Sequence, residues 1–382
     1  ALALPSVQSG ACAQPRSSRQ GGTPCPLGLR NIFAGSHLRD QFRFMKIDEI
    51  KSLCDKYSIR PSKKFGQNFV VDARITRMVV DAAKLNADDC VVEVGPGLGA
   101  LTQELAQKVK QVVAVEVDQK MYRAATELLA LYKNADIVLG DILKIPNKKL
   151  VEMLHNPTHP PSPGLRPPSP LGRGEGEGTP YKVVANLPYS ITSAVLRKFT
   201  EQEPKPELIV VMVQKEVAQR VCASPSPGLR PPSPTRGEGI DSVPFPLGRG
   251  KKGEGMSILS VAVQYFGKPE IVAYVERSAF WPEPEVDSAI LRIELGDTSL
   301  FAQDKKRGVP GAPSTHNFEK HLFQIVRIGF SSRRKQLQNN LSAGLKMPRD
   351  KVFEALKRAG LSARARPQEL SVENWIALAR LL

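Results

Sequence analysis

Five short runs rich in β-branched residues recur along the middle of the chain: Cys90–Val94, Val112–Val117, Asp136–Leu139, Tyr181–Ala185 and Leu208–Val213. Helical stretches separate most of them. Short, near-continuously apolar strands that alternate with helices are covered on both faces, so the fold class is α/β, a doubly wound, largely parallel sheet with helices on either side. Ser257–Phe266, Glu270–Val275 and Ser288–Leu295 follow with no room for helices between them, and are predicted to continue the sheet as antiparallel edge strands. From Phe318 the pattern turns helical, at Phe318–Gly329, Arg333–Leu341, Arg349–Ala359 and Val372–Leu381. The predicted layout is an α/β domain over 45–295, a linker over 296–316 and a small C-terminal all-α domain over 317–382.

Two stretches are foreign in composition to their surroundings. Pro161–Gly178 (PSPGLRPPSPLGRGEGEG) and Pro225–Gly239 (PSPGLRPPSPTRGEG) begin with the same ten residues, and Pro246–Gly255 (PLGRGKKGEG) echoes the end of the first. Pro/Gly-rich sequence without aromatics cannot bury enough apolar surface to offset its ordering entropy. Inserts at about 157–179 and 224–255 are therefore predicted to be disordered surface loops, without a function of their own. Residues 1–44 lack periodicity and precede the first methionine, Met45, which opens a clean helical pattern. They are expected to be disordered or to lie ahead of the true translation start.

The formal net charge is +16, of which 1–44 and 224–255 hold only a minority, leaving about +10 on the rest. A basic globular body points to a polyanionic partner, and nucleic acid is the usual one. No run of about 18 uncharged apolar residues exists, so no membrane-spanning helix is expected. Cys12, Cys25, Cys54, Cys90 and Cys222 are scattered without a CxxC pair, which argues against a disulfide framework and a zinc site and fits a reducing cytoplasm. His155 and His159 have metal-binding spacing, but Pro157 and Pro160 break the helix that spacing needs, so no metal is expected.

The segment from Val91 to Thr102 (VVEVGPGLGALT) reads as a buried strand, a glycine-rich turn and a helix start. Gly95, Gly97 and Gly99 would let the backbone approach a ligand closely, with helix N–H groups facing it. The next strand carries Glu116 at its end, where a doubly wound sheet places a carboxylate against ribose hydroxyls. The strand after it runs into Asp141, which can accept from an adenine amino group. Glycines, then Glu, then Asp at three consecutive strand ends make a nucleoside site. With neither a P-loop lysine nor a GxGxxG, that pattern favours S-adenosylmethionine over ATP or NAD.

The fourth strand ends in Asn186, Leu187, Pro188 and Tyr189. An asparagine Oδ1 and a backbone carbonyl can accept both N–H bonds of an adenine amine, and a tyrosine can stack on the base. This NLPY motif resembles that of the amino-group N-methyltransferases. Further segments resemble one family of them, the ribosomal RNA adenine dimethyltransferases of the KsgA/RsmA type: KKFGQNF from Lys63, MVQKEVAQR from Met212, FWPEPEVDSA from Phe280 and FSSRRKQLQNNL from Phe330. Together they span Met45 to Leu382 apart from the inserts.

The resemblance implies a Rossmann-like S-adenosylmethionine-dependent methyltransferase sheet followed by a helical domain. It implies cofactor contacts at Asn68, Val70, Gly95, Glu116, Asp141 and Asn186, with Val70 standing where the family usually has leucine. Asn186 to Tyr189 would hold the target adenine, with Phe280 stacking on its other face. The implied reaction is in-line methyl transfer to N6, twice on each of two adjacent adenines near the 3′ end of 16S rRNA in the immature small ribosomal subunit. Lys63, Lys64, Arg333, Arg334 and Lys335 are assigned to RNA phosphates. A monomeric cytoplasmic enzyme is expected. Two rival readings remain at this point: the related methyltransferases acting on 23S rRNA, and a ribosome-assembly or nucleic-acid-binding factor without catalysis.

Overall fold

The computed structural model describes residues 45–61, 67–155, 180–225, 255–295, 315–332 and 334–382. The 1–44 extension, nearly all of both inserts and of the linker, and Lys63, Lys64 and Arg333 lie outside the described residues.

In chain order the elements are α1 (Ile47–Lys56), β1 (Phe69–Val70), α2 (Ala73–Ala82), β2 (Cys90–Val94), α3 (Ala100–Ala106), β3 (Gln111–Glu116), α4 (Gln119–Leu128), β4 (Ala135–Leu139) and α5 (Asn147–His155). There follow β5 (Lys182–Asn186), α6 (Thr192–Glu201), β6 (Leu208–Gln214), α7 (Lys215–Val221), α8 (Ile258–Phe266), β7 (Gly267–Val275), β8 (Phe280–Trp281) and β9 (Ser288–Leu295). The C-terminal helices are α9 (Thr315–Gly329), α10 (Leu337–Leu345), α11 (Arg349–Arg358) and α12 (Val372–Ala379).

Among the described residues seven strands form one sheet in the order β4-β3-β2-β5-β6-β9-β7. The five predicted βα strands are parallel, β9 is antiparallel to β6, and β7 is antiparallel to β9. Every residue of β2 and β3 is buried, as their valine-rich sequences require, Glu93 included. Strand order reverses between β2 and β5: the chain winds outward through β3 and β4, then returns to start the other half at β5. The carboxyl ends of these two strands therefore open a crevice, the place where doubly wound sheets take their ligands.

One expectation is overturned. Ser257–Phe266 is not an edge strand: Ile258–Phe266 is helix α8, begun by a reciprocal cap in which Ser257 N donates to Ser260 Oγ at 3.0 Å and Ser260 N to Ser257 Oγ at 3.1 Å. Leu259, Val261, Ala262, Val263, Tyr265 and Phe266 are all buried, so this helix has almost no polar stripe and its apolar run imitates a strand. Helix α10 also starts later than predicted, at Leu337 rather than Arg333. Buried Asn340 donates from Nδ2 to the carbonyls of Gly329, at 2.6 Å, and Ser332, at 2.9 Å, which holds the preceding residues in a turn.

One core cluster covers a face of the sheet and continues without a break through α6 and α8 into the C-terminal helices. Phe323 of α9 packs edge-on against Tyr265, centroids 5.5 Å apart, and stacks on Phe266 at 5.6 Å. A second cluster, built on α2 and α3, covers the other face. Leu322 is fully buried in the first cluster. Leu322→Ala is expected to lower unfolding free energy by about 2–5 kcal/mol in a urea titration.

Candidate cofactor and methyl-acceptor site

A cavity of about 370 Å³ occupies the crevice above β2 and β5. From the predicted residues it brings together Asn68, Val70, Gly95, Gly97, Glu116 and Asp141 on one side, with Asn186 and Pro188 at the acceptor end. Gly99 shapes the turn without lining the cavity. At φ +83° it starts α3 in the left-handed region, and a Cβ there would press on Leu129 at 3.0 Å. Gly97, at φ +58°, sits so close to Phe69 that a Cβ would reach its ring at 3.5 Å.

The turn satisfies its own amides. Gly95 N donates to Val115 O at 2.9 Å, Gly97 N to Glu116 Oε2 at 3.3 Å and Gly99 N to Pro96 O at 2.8 Å. These three are thus spent on holding β2, β3 and the turn together. Within a largely apolar lining the charged groups are all acids: Glu93, Glu116 and Asp141 line the cavity and no lysine or arginine does among the described residues, although Lys144 approaches Asp141 from outside it at 3.7 Å.

Glu116, 5% exposed, accepts from Asp118 N at 2.9 Å as well as from Gly97 N. Burial raises its pKa, and these backbone donors work against the rise. Asp141 Oδ1 accepts from Leu143 N at 3.0 Å, which fixes the loop after β4 with Ile142 and Leu143 on the cavity wall. Glu93 was missed in the sequence. It is 1% exposed, its Oε2 has no hydrogen-bond partner, and burial, with a smaller push from Glu116, raises its pKa to about 8. Its one signal was a charged residue inside an otherwise all-apolar strand.

At the acceptor end, Asn186 Nδ2 donates to the Asn68 carbonyl at 3.3 Å. A carbonyl can only accept, so this contact fixes the amide with Nδ2 engaged and leaves Oδ1 as its remaining acceptor. Leu187 is a core residue, its side chain buried and its N–H bonded to Met212 O at 3.1 Å. Tyr189 is half-buried, and its phenol shares a 2.7 Å hydrogen bond with fully buried Ser288, a partner unforeseen from the sequence. Phe280 is not brought to the cavity. It is 4% exposed in the second core cluster, while its neighbour Trp281 stacks on Phe69 with centroids 6.2 Å apart. Arg334 and Lys335 are exposed on the turn before α10, outside the cavity lining.

A protonated Glu93 makes the folded state bind a proton that the unfolded chain releases above the ordinary glutamate range. Stability of the ligand-free protein should then fall as pH rises from about 6 to 8, by at most ~1.4 kcal/mol per pH unit from this group. Thermal melts across that range should show the fall in the wild type and a flatter profile in Glu93→Gln. Equal slopes would exclude a neutral Glu93.

The family model for "Ribosomal RNA adenine dimethylase" matches residues 59–230 and 250–382, so its gap falls inside the second insert. The ribosomal RNA small subunit methyltransferase A of Dehalococcoides mccartyi (strain ATCC BAA-2266 / KCTC 15142 / 195) is 36% identical over 327 residues, 86% of this chain and 90% of that protein. The protein of the same name from Moorella thermoacetica is 35% identical over 322 residues, 84% and 92% of the two chains. Among solved structures, the 23S rRNA methyltransferase ErmE superposes with a TM-score of 0.53 at 25% identity, covering 82% of this chain and 99% of that one. A dimethyladenosine transferase from Plasmodium falciparum shares the fold, with a TM-score of 0.54 at 20% identity over 80% and 94%. The sheet order, the crevice and these matches lead to one conclusion: the chain belongs to the ribosomal RNA adenine dimethylase family.

Proposed function

We propose that this protein dimethylates N6 of two adjacent adenines near the 3′ end of 16S rRNA, using S-adenosylmethionine, during small-subunit assembly in the cytoplasm. The observation that carries this reading is the fixed amide of Asn186 beside an acid-lined cavity. The residues present fit the cofactor. About 370 Å³ lies in the usual range for small-molecule sites, an acidic set of charged lining residues suits a net-positive nucleoside, and the three glycine amides spent within the turn offer little to a phosphate.

S-adenosylmethionine, when bound, supplies an already activated methyl group, so no protein nucleophile is needed. Glu116 would accept from ribose hydroxyls and Asp141 from the adenine amino group of the cofactor. Asn186 Oδ1 and the Leu187 carbonyl would accept the two N–H bonds of the target amine, turning its lone pair toward the methyl group. After one transfer a single N–H remains, which either acceptor can still hold. The proton lost at each step leaves to solvent. Tyr189, its ring pinned by Ser288, would stack on the extruded base and offset part of the unstacking energy, about 1–3 kcal/mol. Exposed Arg334 and Lys335 would meet RNA phosphates, with Lys63, Lys64 and Arg333 assigned likewise. Phe280 could join the stack only by leaving its buried position.

Purified protein with labelled S-adenosylmethionine and under-methylated small or large subunits tests the reading, with the labelled base mapped afterwards. Dimethyladenine at adjacent positions near the 16S 3′ end is the expected product. Label in 23S rRNA instead, or none in either subunit, would overturn it. Asn186→Ala should lower the rate about 100- to 1,000-fold while shifting cofactor Kd far less.

A further inference from the structure

The two acids nearest the glycine turn do not have equal support. Glu116 on β3 accepts two backbone N–H bonds, from Gly97 and Asp118, which favour its charged form. Glu93 on β2 has no such help. Its Oε2 is buried without a hydrogen-bond partner; the neighbouring Thr102 hydroxyl of α3, itself unpartnered, draws the pKa down by more than Glu116 pushes it up, but burial outweighs both. The other groups around the cavity do not neutralise it: α2 contributes Thr76, the end of β5 Asn186, and the loop after β4 the further acid Asp141. Two carboxyl groups sharing a cavity wall without a cation cannot both ionise cheaply, and the backbone donors decide which one carries the proton.

We propose that Glu93 is neutral in the ligand-free protein and loses its proton to solvent when S-adenosylmethionine enters the cavity, making cofactor binding and deprotonation one linked event. The inference rests on the cavity being the S-adenosylmethionine site. The ligand, net positive with a sulfonium, an ammonium and one carboxylate, enters a space whose charged lining residues are all acids, and a positive charge within about 4–6 Å favours a carboxylate. One proton leaves for each ligand bound, and no other bond changes. The value of about 8 for the free protein sets the pH window. Below it, affinity should rise with pH by up to about tenfold per unit. Above it the ionised group has no proton left to give, and its contribution to the pH dependence ends, leaving only the titration of the ligand's own α-ammonium, at about 7.7–8.0, which wild type and Glu93→Gln share.

The test is calorimetric titration of the full chain with S-adenosylmethionine at pH 7 in buffers of different ionisation enthalpy, together with dissociation constants from pH 6 to 9. Wild type should release close to one proton per ligand, about 0.9 if the bound form is fully ionised. Glu93→Gln has the shape of the protonated acid and should stay folded, which its melt will report. It should release no proton from this site, and its affinity should be flat from pH 6 to 7, below the range in which the ligand's own α-ammonium titrates, about 7.7–8.0. Binding without proton release in the wild type, or equal release in Glu93→Gln, would overturn the proposal and leave the cofactor assignment standing. Absence of any binding would instead remove the cofactor reading, and this inference with it.

Discussion

The pairing of β2 with β5 is the contact on which the rest depends. It joins strands far apart in the chain, with Val91 opposite Lys182 and Val92 opposite Val183, and it is where strand order reverses. Because the chain leaves β2 and β5 in opposite directions, their carboxyl ends are left open side by side. The glycine turn and the acceptor motif therefore become neighbours although about 90 residues separate them. Pro188 lies beside Gly95, where a Cβ would be in ordinary contact with its ring at 3.9 Å. The crevice is closed from above by a second, smaller pairing. β1 runs antiparallel to β8, with Phe69 opposite Trp281 and Val70 opposite Phe280, and Val71 N donates to Ala279 O at 2.9 Å. That strap holds the Asn68 carbonyl against Asn186, so the orientation of the Asn186 amide depends on two segments that lie far from it on either side in the chain.

Much of this was legible because it follows from short-range rules. Strand period and β-branched residues placed β2 to β6 within a residue or so of where they lie, and the residue types at three strand ends pointed to a nucleoside site. The failures have a common physical cause: each needed knowledge of what packs where. Helix α8 is surrounded by α6, α7 and the C-terminal helices, so it lacks the polar stripe by which a helix is recognised, and the paired serines at its start were the only local sign. The turn before α10 is held by Asn340 from within the following helix, a tertiary contact with no periodic signature.

Phe280 and Trp281 make the same point at the site. Adjacent residues on a strand face opposite ways, and the register with Phe69 and Val70 decides that Phe280 enters the core while Trp281 stacks outside it. A motif read along the chain has no means of choosing between the two. Glu93 escaped notice for a related reason. It lies within the glycine segment, where the glycines attract attention, and its significance appears only when Glu116 is brought into the same cavity by the pairing of β2 and β3.

The glycine turn has the outline of a phosphate-binding turn but the reverse of its electrostatics. A turn that binds phosphate leaves amides pointing outward and adds cations. Here the amides of Gly95, Gly97 and Gly99 face inward, one of them onto a carboxylate, and the surrounding wall is acidic. Each carboxyl group is costly to bury, so the arrangement is stable only through backbone donors at Glu116 and a retained proton at Glu93. The same cost gives selectivity. A nucleoside polyphosphate entering this space would find acids and no lining lysine or arginine among the described residues, whereas a cationic nucleoside would be favoured. Repulsion of anions would thus add to attraction of cations in setting the selectivity of the crevice.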